Sequence, residues 1–272
     1  MSTVERPVEV PAEPGVVRSA GRVLAYHLTV WRRTWRGMAF SGFVSPLLYL
    51  GAMGYGLGSL VDGSTGQGVD GVPYVQFIAP GVLVATAMQH AVGASSYPVL
   101  GSIKWSRQYH AMLASPVSSQ AVVLGHAVIT VLQSLAFAVV FLVVAVPLRA
   151  IPSAWGVLSL LAVVLVTAAY TGPMFAVAAR AESDVSFTLV FRLVLIPMFL
   201  FSGTFFPVSQ APDWLEPLAW VVPLWHGSSL ARDATLGTWS GWADVGHVAY
   251  LLVWVAAGWV LATRALRRRM VV

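Results

Sequence analysis

Six stretches of the chain carry no formal charge and are rich in Val, Leu, Ala, Ile and Phe: residues 37–61, 71–103, 108–148, 150–179, 193–212 and 245–263. A helix that crosses a bilayer needs about 20 mostly apolar residues. Each stretch can supply one, which predicts spanning helices at about 38–60, 74–97, 120–147, 154–178, 185–203 and 245–263. The fifth is the least regular, because Arg192 lies inside it and Pro197 interrupts it. Before the first span, residues 16–36 change character. Arg18, Arg22, Arg33 and Arg36 fall near one helical face, and Ala20, Leu24, Leu28, Trp31 and Trp35 fall on another. That pattern predicts an amphipathic helix lying in the membrane interface. Residues 1–15 are polar and proline-rich and read as a disordered tail, with no cleavable signal peptide.

Between the fifth and sixth spans the pattern breaks. Pro207, Pro212, Pro217 and Pro223 cut the apolar pieces so that none can cross. Six of the eleven tryptophans (Trp155, Trp214, Trp220, Trp225, Trp239 and Trp242) fall on this side. Tryptophan prefers the membrane interface, and irregular backbone at membrane depth persists only when packed against protein or lining a wet cavity. The expectation is a set of short, re-entrant external helices before the last span.

Composition supports the membrane reading: of 272 residues, 57% are hydrophobic and 10% charged, with mean hydropathy +0.76. Soluble domains carry about a quarter of their residues as charged groups. The basic residues then set orientation. Thirteen of the sixteen fall on one side: Arg6, Arg18, Arg22, Arg32, Arg33, Arg36, Lys104, Arg107, Arg180, Arg264, Arg267, Arg268 and Arg269. Only Arg149 and Arg232 fall on the other. By the excess of Arg and Lys in cytoplasmic segments, both termini are expected in the cytoplasm. The pI near 9.9 is thereby explained by topology and contact with anionic lipid, and no nucleic-acid partner is expected.

Candidate chemistry is sparse. There are no cysteines, which excludes disulfides, thiolate metal sites and cysteine nucleophiles. The single lysine, Lys104, sits in Ser102-Ile103-Lys104-Trp105 and cannot form a phosphate-binding P-loop. Nothing resembles a hydrolase motif, so no enzyme activity is expected. All eleven acidic residues lie outside the spans, and an ion-coupled carrier needs a titratable group at membrane depth. A proton-driven multidrug carrier, the alternative function, would have to use His90 or His126; either can equally be an interhelical hydrogen-bonding residue. Arg192 can snorkel to the interface or touch substrate. Gly51, Gly54, Gly56 and Gly58 cluster in the first span, with Gly54 and Gly58 at the spacing of close helix packing or a dimer seam.

Several motifs, in order, resemble the permease subunits of ABC-2 type exporters, most closely the lipo-oligosaccharide (nodulation-factor) export branch and its antibiotic-efflux relatives. They are Ser45-Pro46-Leu47-Leu48-Tyr49-Leu50 running into Gly54-Tyr55-Gly56-Leu57-Gly58, then Tyr74-Val75-Gln76-Phe77-Ile78-Ala79-Pro80-Gly81 at the second span. Late in the chain come Phe201-Ser202-Gly203-Thr204-Phe205-Phe206-Pro207-Val208, Pro223-Leu224-Trp225-His226 and Leu236-Gly237. The resemblance covers nearly the whole chain from about Trp31.

It implies a permease that pairs with a second permease copy or paralogue and moves an amphipathic cargo outward: a glycolipid, lipid-linked saccharide or hydrophobic drug. The spans themselves predict an all-α membrane fold, and usage rich in Arg over Lys, Ala and Val points to a bacterial source and hence the plasma membrane. Its energy would come from cytoplasmic P-loop ATPase subunits, which would hold ATP and magnesium; this chain would hold no cofactor. By the same resemblance, residues 101–118 would couple to the ATPase through Lys104, Trp105, Arg107 and Leu113. The substrate path would run among spans one, two and five past Tyr49, Met53, Gln76, Met88, Phe199 and Phe205.

Overall fold

A computed structural model describes residues 15–65, 68–210, 212, 214 and 216–270. The side chains of 37–43, 45, 46, 64 and 65 are excepted, and the tail expected at 1–15 lies outside the described residues but for Gly15. Among them the chain is helical. Helix α1 (Val16–Tyr49) passes through a π-helical stretch (Leu50–Leu57) into α2 (Gly58–Thr65), followed by α3 (Tyr74–Ser95). Then come α4 (Tyr97–Lys104), α5 (Gln108–Leu113) and α6 (Ser119–Ala145). A 3-10 turn (Ala154–Leu158) opens α7 (Ser159–Arg180). Short pieces follow: α8 (Val185–Val190), a π turn (Phe191–Leu195), α9 (Ile196–Leu200), α10 (Glu216–Val221) and α11 (Pro223–Leu236). The last helix is α12 (Trp242–Met270).

Four of the expected spans form helices long and apolar enough to cross a membrane: Tyr74–Lys104, Ser119–Ala145, Ala154–Arg180 and Trp242–Met270. The fifth is an interrupted apolar helix, Val185–Leu200. The interruption has a local cause. Pro197 has no N–H to donate, and its ring crowds the carbonyl four residues back; the widened turn at Phe191–Leu195 relieves this. At the N-terminus one helix runs unbroken through residues 36–38, where an interfacial helix was expected to end and a span to begin. Hydropathy changes there without any residue that stops a helix.

Helix α7 lies at the centre, against α3, α6, α11 and α12, while α1 packs along α6. The apolar parts of α3–α4 and α7 are 72% and 67% buried, against 28% for α6 and 17% for α12. The first pair forms the core, and the second presents its apolar faces outward, toward lipid. Packing is closest where α7 crosses α12. A Cβ on Gly172 would lie 2.5 Å from the Gly258 carbonyl carbon, and one on Gly258 would lie 2.6 Å from Pro173 Cδ. Small residues of this kind let helix backbones touch in a membrane. Two of the four glycines of the first span pack inside the chain: a Cβ on Gly54 would meet Val75 at 2.8 Å, and one on Gly58 would meet Tyr74 at 3.5 Å, whereas one on Gly51 would meet nothing within 4 Å.

Side-chain and backbone contacts define two ends of the bundle. At the basic end, Lys104 Nζ donates to the Glu182 carbonyl. At the opposite end, the Tyr55 hydroxyl donates to the Leu148 carbonyl, Gln76 Nε2 to the Arg149 carbonyl at 3.2 Å and Ser153 N–H to Thr235 O at 3.1 Å.

That opposite end is closed by α11, a buried 14-residue helix of about 21 Å, too short to cross. Gly237, at φ +76, ends it, with its N–H donating to Asp233 O at 2.8 Å. His226 ties α11 to α12. Its Nε2 sits 2.8 Å from the Trp220 carbonyl and therefore carries the proton, leaving Nδ1 to accept from His247 Nδ1 at 2.7 Å. The His226 ring also stacks on Tyr250 at 4.0 Å. Burial lowers the His226 pKa from the usual imidazole value, consistent with a neutral ring. Nearby, burial first and then the hydrogen bond and charge of Asp244 push the Asp233 carboxyl up to about 6, against the pull of Thr238 and Arg232.

Two predictions follow from this packing. Gly172→Ala or Gly258→Ala should cost about 1–3 kcal/mol by overpacking the crossing. Gly246→Ala, where a Cβ meets nothing within 4 Å, should be neutral or mildly stabilising. Thermal unfolding in detergent tests this, and equal effects at the three positions would refute the crossing. For Asp233, the folded state binds the proton more tightly than the unfolded chain, whose pKa is 3.8. Its contribution is therefore greatest below about pH 4 and is lost as pH rises through about 6. The melting-temperature difference between wild type and Asp233→Asn should change by roughly 2–4 °C across that window, with wild type gaining on the acid side. A pH-independent difference would rule the assignment out.

Candidate functional site

The segment between α3 and α6 is built as two short helices on a polar hinge. Ser95 and Ser96 are fully buried where α3 ends, and Pro98 starts α4 in its first turn, where a missing N–H costs nothing. Arg107 adopts the left-handed conformation at φ 50, which turns α4 into α5. Ser118 then caps α6 by accepting from Ala121 N–H at 3.2 Å.

The buried residue of α5 is Tyr109. Its ring lies parallel to Phe175 of α7, 6.0 Å away. Its hydroxyl is 3.5 Å from His126 Nδ1 on α6, and His126 Nε2 is 3.2 Å from Ser95 Oγ at the end of α3. The His126 ring also meets Phe175 at 5.2 Å and His27 of α1 at 5.9 Å. Both His126 nitrogens thus have polar neighbours, and one buried imidazole joins α1, α3, α5, α6 and α7. Burial raises the Tyr109 phenol pKa, which keeps it a neutral donor.

Three of the four residues expected to meet an ATPase face solvent. Lys104, Trp105 and Arg107 are exposed, Trp105 at 72%, with its indole folded over Gly101, where a Cβ would lie 3.1 Å from it. Leu113 instead turns inward and packs on the core. Sequence reasoning passed over Tyr109 and Phe175; the available signal was an aromatic residue inside the otherwise polar Gln108-Tyr109-His110.

The second expected set, along spans one, two and five, divides. Phe205 gathers Tyr49 (ring centres 6.4 Å apart) and Phe199 (5.0 Å, edge to face), and its carbonyl accepts from the Tyr74 hydroxyl at 3.2 Å. Met88 and Phe199 share an apolar cleft of about 280 Å³ between α3 and the π turn–α9 segment, with Phe191 and Leu195. Met53 packs at the edge of the core. Gln76 turns away to the Arg149 carbonyl. Arg192 is exposed on the outside of its helix, and His90 makes an edge-to-face contact with Phe137 at 5.0 Å.

Above the cleft, the Ser202–Phe206 turn seats on α3. A Cβ on Gly81 would lie 3.0 Å from Thr204 Cα. Arg232 of α11 pins the turn: one guanidinium nitrogen donates to Gly203 O at 2.9 Å, and the group lies 4.0 Å over the Phe77 ring. A buried cation over an aromatic face gains electrostatic attraction. Burial still lowers the Arg232 pKa to about 10, which leaves it charged at neutral pH. The sequence singled out Arg232 only as an external charge.

Comparisons with known proteins extend these observations. A sequence model of the ABC-2 type transporter family matches residues 22–236. Nodulation protein J of Rhizobium leguminosarum bv. trifolii is 33% identical over 256 residues, 89% of this chain and 93% of that protein. The protein of the same name from R. leguminosarum bv. viciae is 31% identical over 253 residues, 89% and 94% of the two chains. That from Sinorhizobium fredii is 29% identical over 252 residues, 89% and 93%. The family expected from the motifs is the one returned: this chain belongs to the ABC-2 type transporter family.

Proposed function

We propose that this chain is the permease subunit of an ATP-driven exporter that moves an amphipathic molecule out across the bacterial plasma membrane: a glycolipid, a lipid-linked saccharide or a hydrophobic drug. The family match over residues 22–236 carries the reading, and the likeness to nodulation protein J along 89% of the chain supports it. In this reading six segments cross the membrane, both termini are cytoplasmic, and α10 and α11 cap the outer face. The permease works paired with a second copy or a paralogue.

The energy comes from separate cytoplasmic ATPases, which bind the ATP and magnesium; this chain supplies no nucleotide site of its own. Lys104, Trp105, Arg107 and Leu113 mark the ATPase-facing segment. The support is geometric: α5 is a six-residue helix whose one buried side chain, Tyr109, contacts α6 and α7. A push on so short a helix is delivered to the packed bundle through that ring. Cargo passes along Tyr49, Met53, Gln76, Met88, Phe199 and Phe205. Their mostly apolar character, and the absence of acidic residues from the spans, suit a lipid-like molecule better than an ion-coupled carrier.

The tagged chain, purified gently from its host, should bring down a P-loop ATPase at one-to-one stoichiometry. Scrambling residues 101–118 should abolish that association. Trp105→Ala, at a largely exposed aromatic anchor, should weaken it by about 2 kcal/mol, roughly thirtyfold, without lowering the melting temperature. A chain that emerges without an ATPase, and whose transport collapses with the proton gradient, would overturn the proposal.

A further inference from the structure

A second cavity lies away from the cargo cleft, at the basic end. It measures about 730 Å³ and opens between α12 and the α5–α6 connection. That size is within the roughly 300–1,000 Å³ of small-molecule sites. Trp259 and Val260 of α12, with Leu113 and Val117, supply apolar lining, and the first turn of α6 (118–120) is polar. Arg264 and Arg267 of α12 also line it. Val260, Arg264 and Arg267 stand at i, i+4 and i+7, so they share one helical face.

Position along α12 decides what meets this face. The charge-free run 245–263 is about 28 Å long at 1.5 Å per residue, which matches a hydrocarbon core of about 30 Å. Arg264 therefore stands at the hydrocarbon edge, and along α12 the lining passes from Trp259 and Val260 to Arg264 and Arg267. Neither guanidinium has a hydrogen-bond or ion-pair partner among the described residues. Ser118 already caps the neighbouring helix α6, so the arginines supply the site's charge. A soluble protein docking from the cytoplasm does not reach the depth of Trp259 and Val260; a lipid does.

We infer that this cavity is a binding site for an anionic phospholipid of the inner leaflet. Arg264 and Arg267 hold the phosphate, for which the guanidinium fork is well shaped, and the upper acyl chain lies along Trp259 and Val260. The lipid then rests against Leu113 and Val117 and braces the α5–α6 connection from the side of α12. This inference requires only the membrane setting; Leu113 is shared with the proposed ATPase-facing segment, and the two arginines are not.

The test is lipid retention by the purified full-length chain. The chain is stripped of lipid, re-equilibrated with mixed phosphatidylglycerol–phosphatidylcholine vesicles, and its bound lipid is read by native mass spectrometry. Wild type should keep phosphatidylglycerol over phosphatidylcholine. Arg264→Gln and Arg267→Gln should each lower that retention by roughly fivefold, with Arg→Lys restoring part of it. Arg268→Gln removes a charge from the same run at a residue that does not line the cavity, and should leave retention unchanged. Val260→Trp fills the apolar end with both arginines intact and should also lower it. Equal loss from Arg268→Gln, or equal retention of the two lipids by wild type, would overturn the site in favour of diffuse surface charge. Because no nucleotide or cargo enters the assay, its failure leaves the exporter reading standing.

Discussion

The backbone contact of α7 with α12 at Gly172 and Gly258 is the constraint on which the rest of the structure depends. Inside a bilayer no hydrophobic force drives one helix onto another, because lipid tails are as apolar as leucine; close van der Waals contact has to do it. Two glycines that face each other give that contact, and Pro173 fills the space beside them. Once α12 is seated on α7, the N-terminal part of α12 brings His247 and Tyr250 to His226. Its C-terminal part brings Trp259, Arg264 and Arg267 to the α5–α6 connection. One crossing therefore positions both a closed end and an open one.

Polar side chains take over where glycine packing stops. At the basic end, His126 gathers Ser95 and Tyr109; at the other, Arg232 and the Ser202–Thr204 hydroxyl contact at 2.8 Å hold the turn over α3. A hydrogen bond away from water is costly to leave unmade. Each node therefore specifies one arrangement more sharply than apolar contact would. The nodes differ in what they can yield. Tyr109 and His126 touch at 3.5 Å, a loose contact beside a short helix, whereas Arg232 is closed over by Phe77.

Much of this was legible in the sequence, because a membrane turns composition directly into architecture. Charge-free runs located the four long spans, and Pro197 marked the helix that the structure interrupts. The prolines between 207 and 223 foretold short helices before the last span. The ordered motifs named the family. What the sequence withheld was partnership across the bundle. Gly54 and Gly58 advertised a packing face, yet nothing in their spacing said that Val75 and Tyr74 would fill it. His126 looked like one of two isolated intramembrane histidines, because Tyr109 and Ser95 approach it only after three helices pack. The continuity of α1 past residue 36 was hidden for a different reason: the change in hydropathy there is real, but helicity does not follow hydropathy.

The central helix has a mechanical consequence. Helix α7 touches Tyr109 through Phe175 near one end, and near the other α11 packs on it where a Cβ on Gly227 would lie 2.2 Å from Val166. Phe175 and Val166 are nine residues apart, about 14 Å along the axis. Pro173 lies between them, where α7 packs on Gly258 of α12; close-packed interiors transmit displacement, so in the proposed reading a movement of α5 is passed to α11 along α7. Arg232 on α11 holds the turn that carries Phe205, and Phe205 closes against Tyr49 and Phe199. Coupling of the proposed kind would need no titratable relay inside the membrane, because contacts run Tyr109–Phe175–α7–α11–Arg232–Gly203. Such a route suits the proposed drive from the basic end, and a sequence with no acidic residue in any expected span.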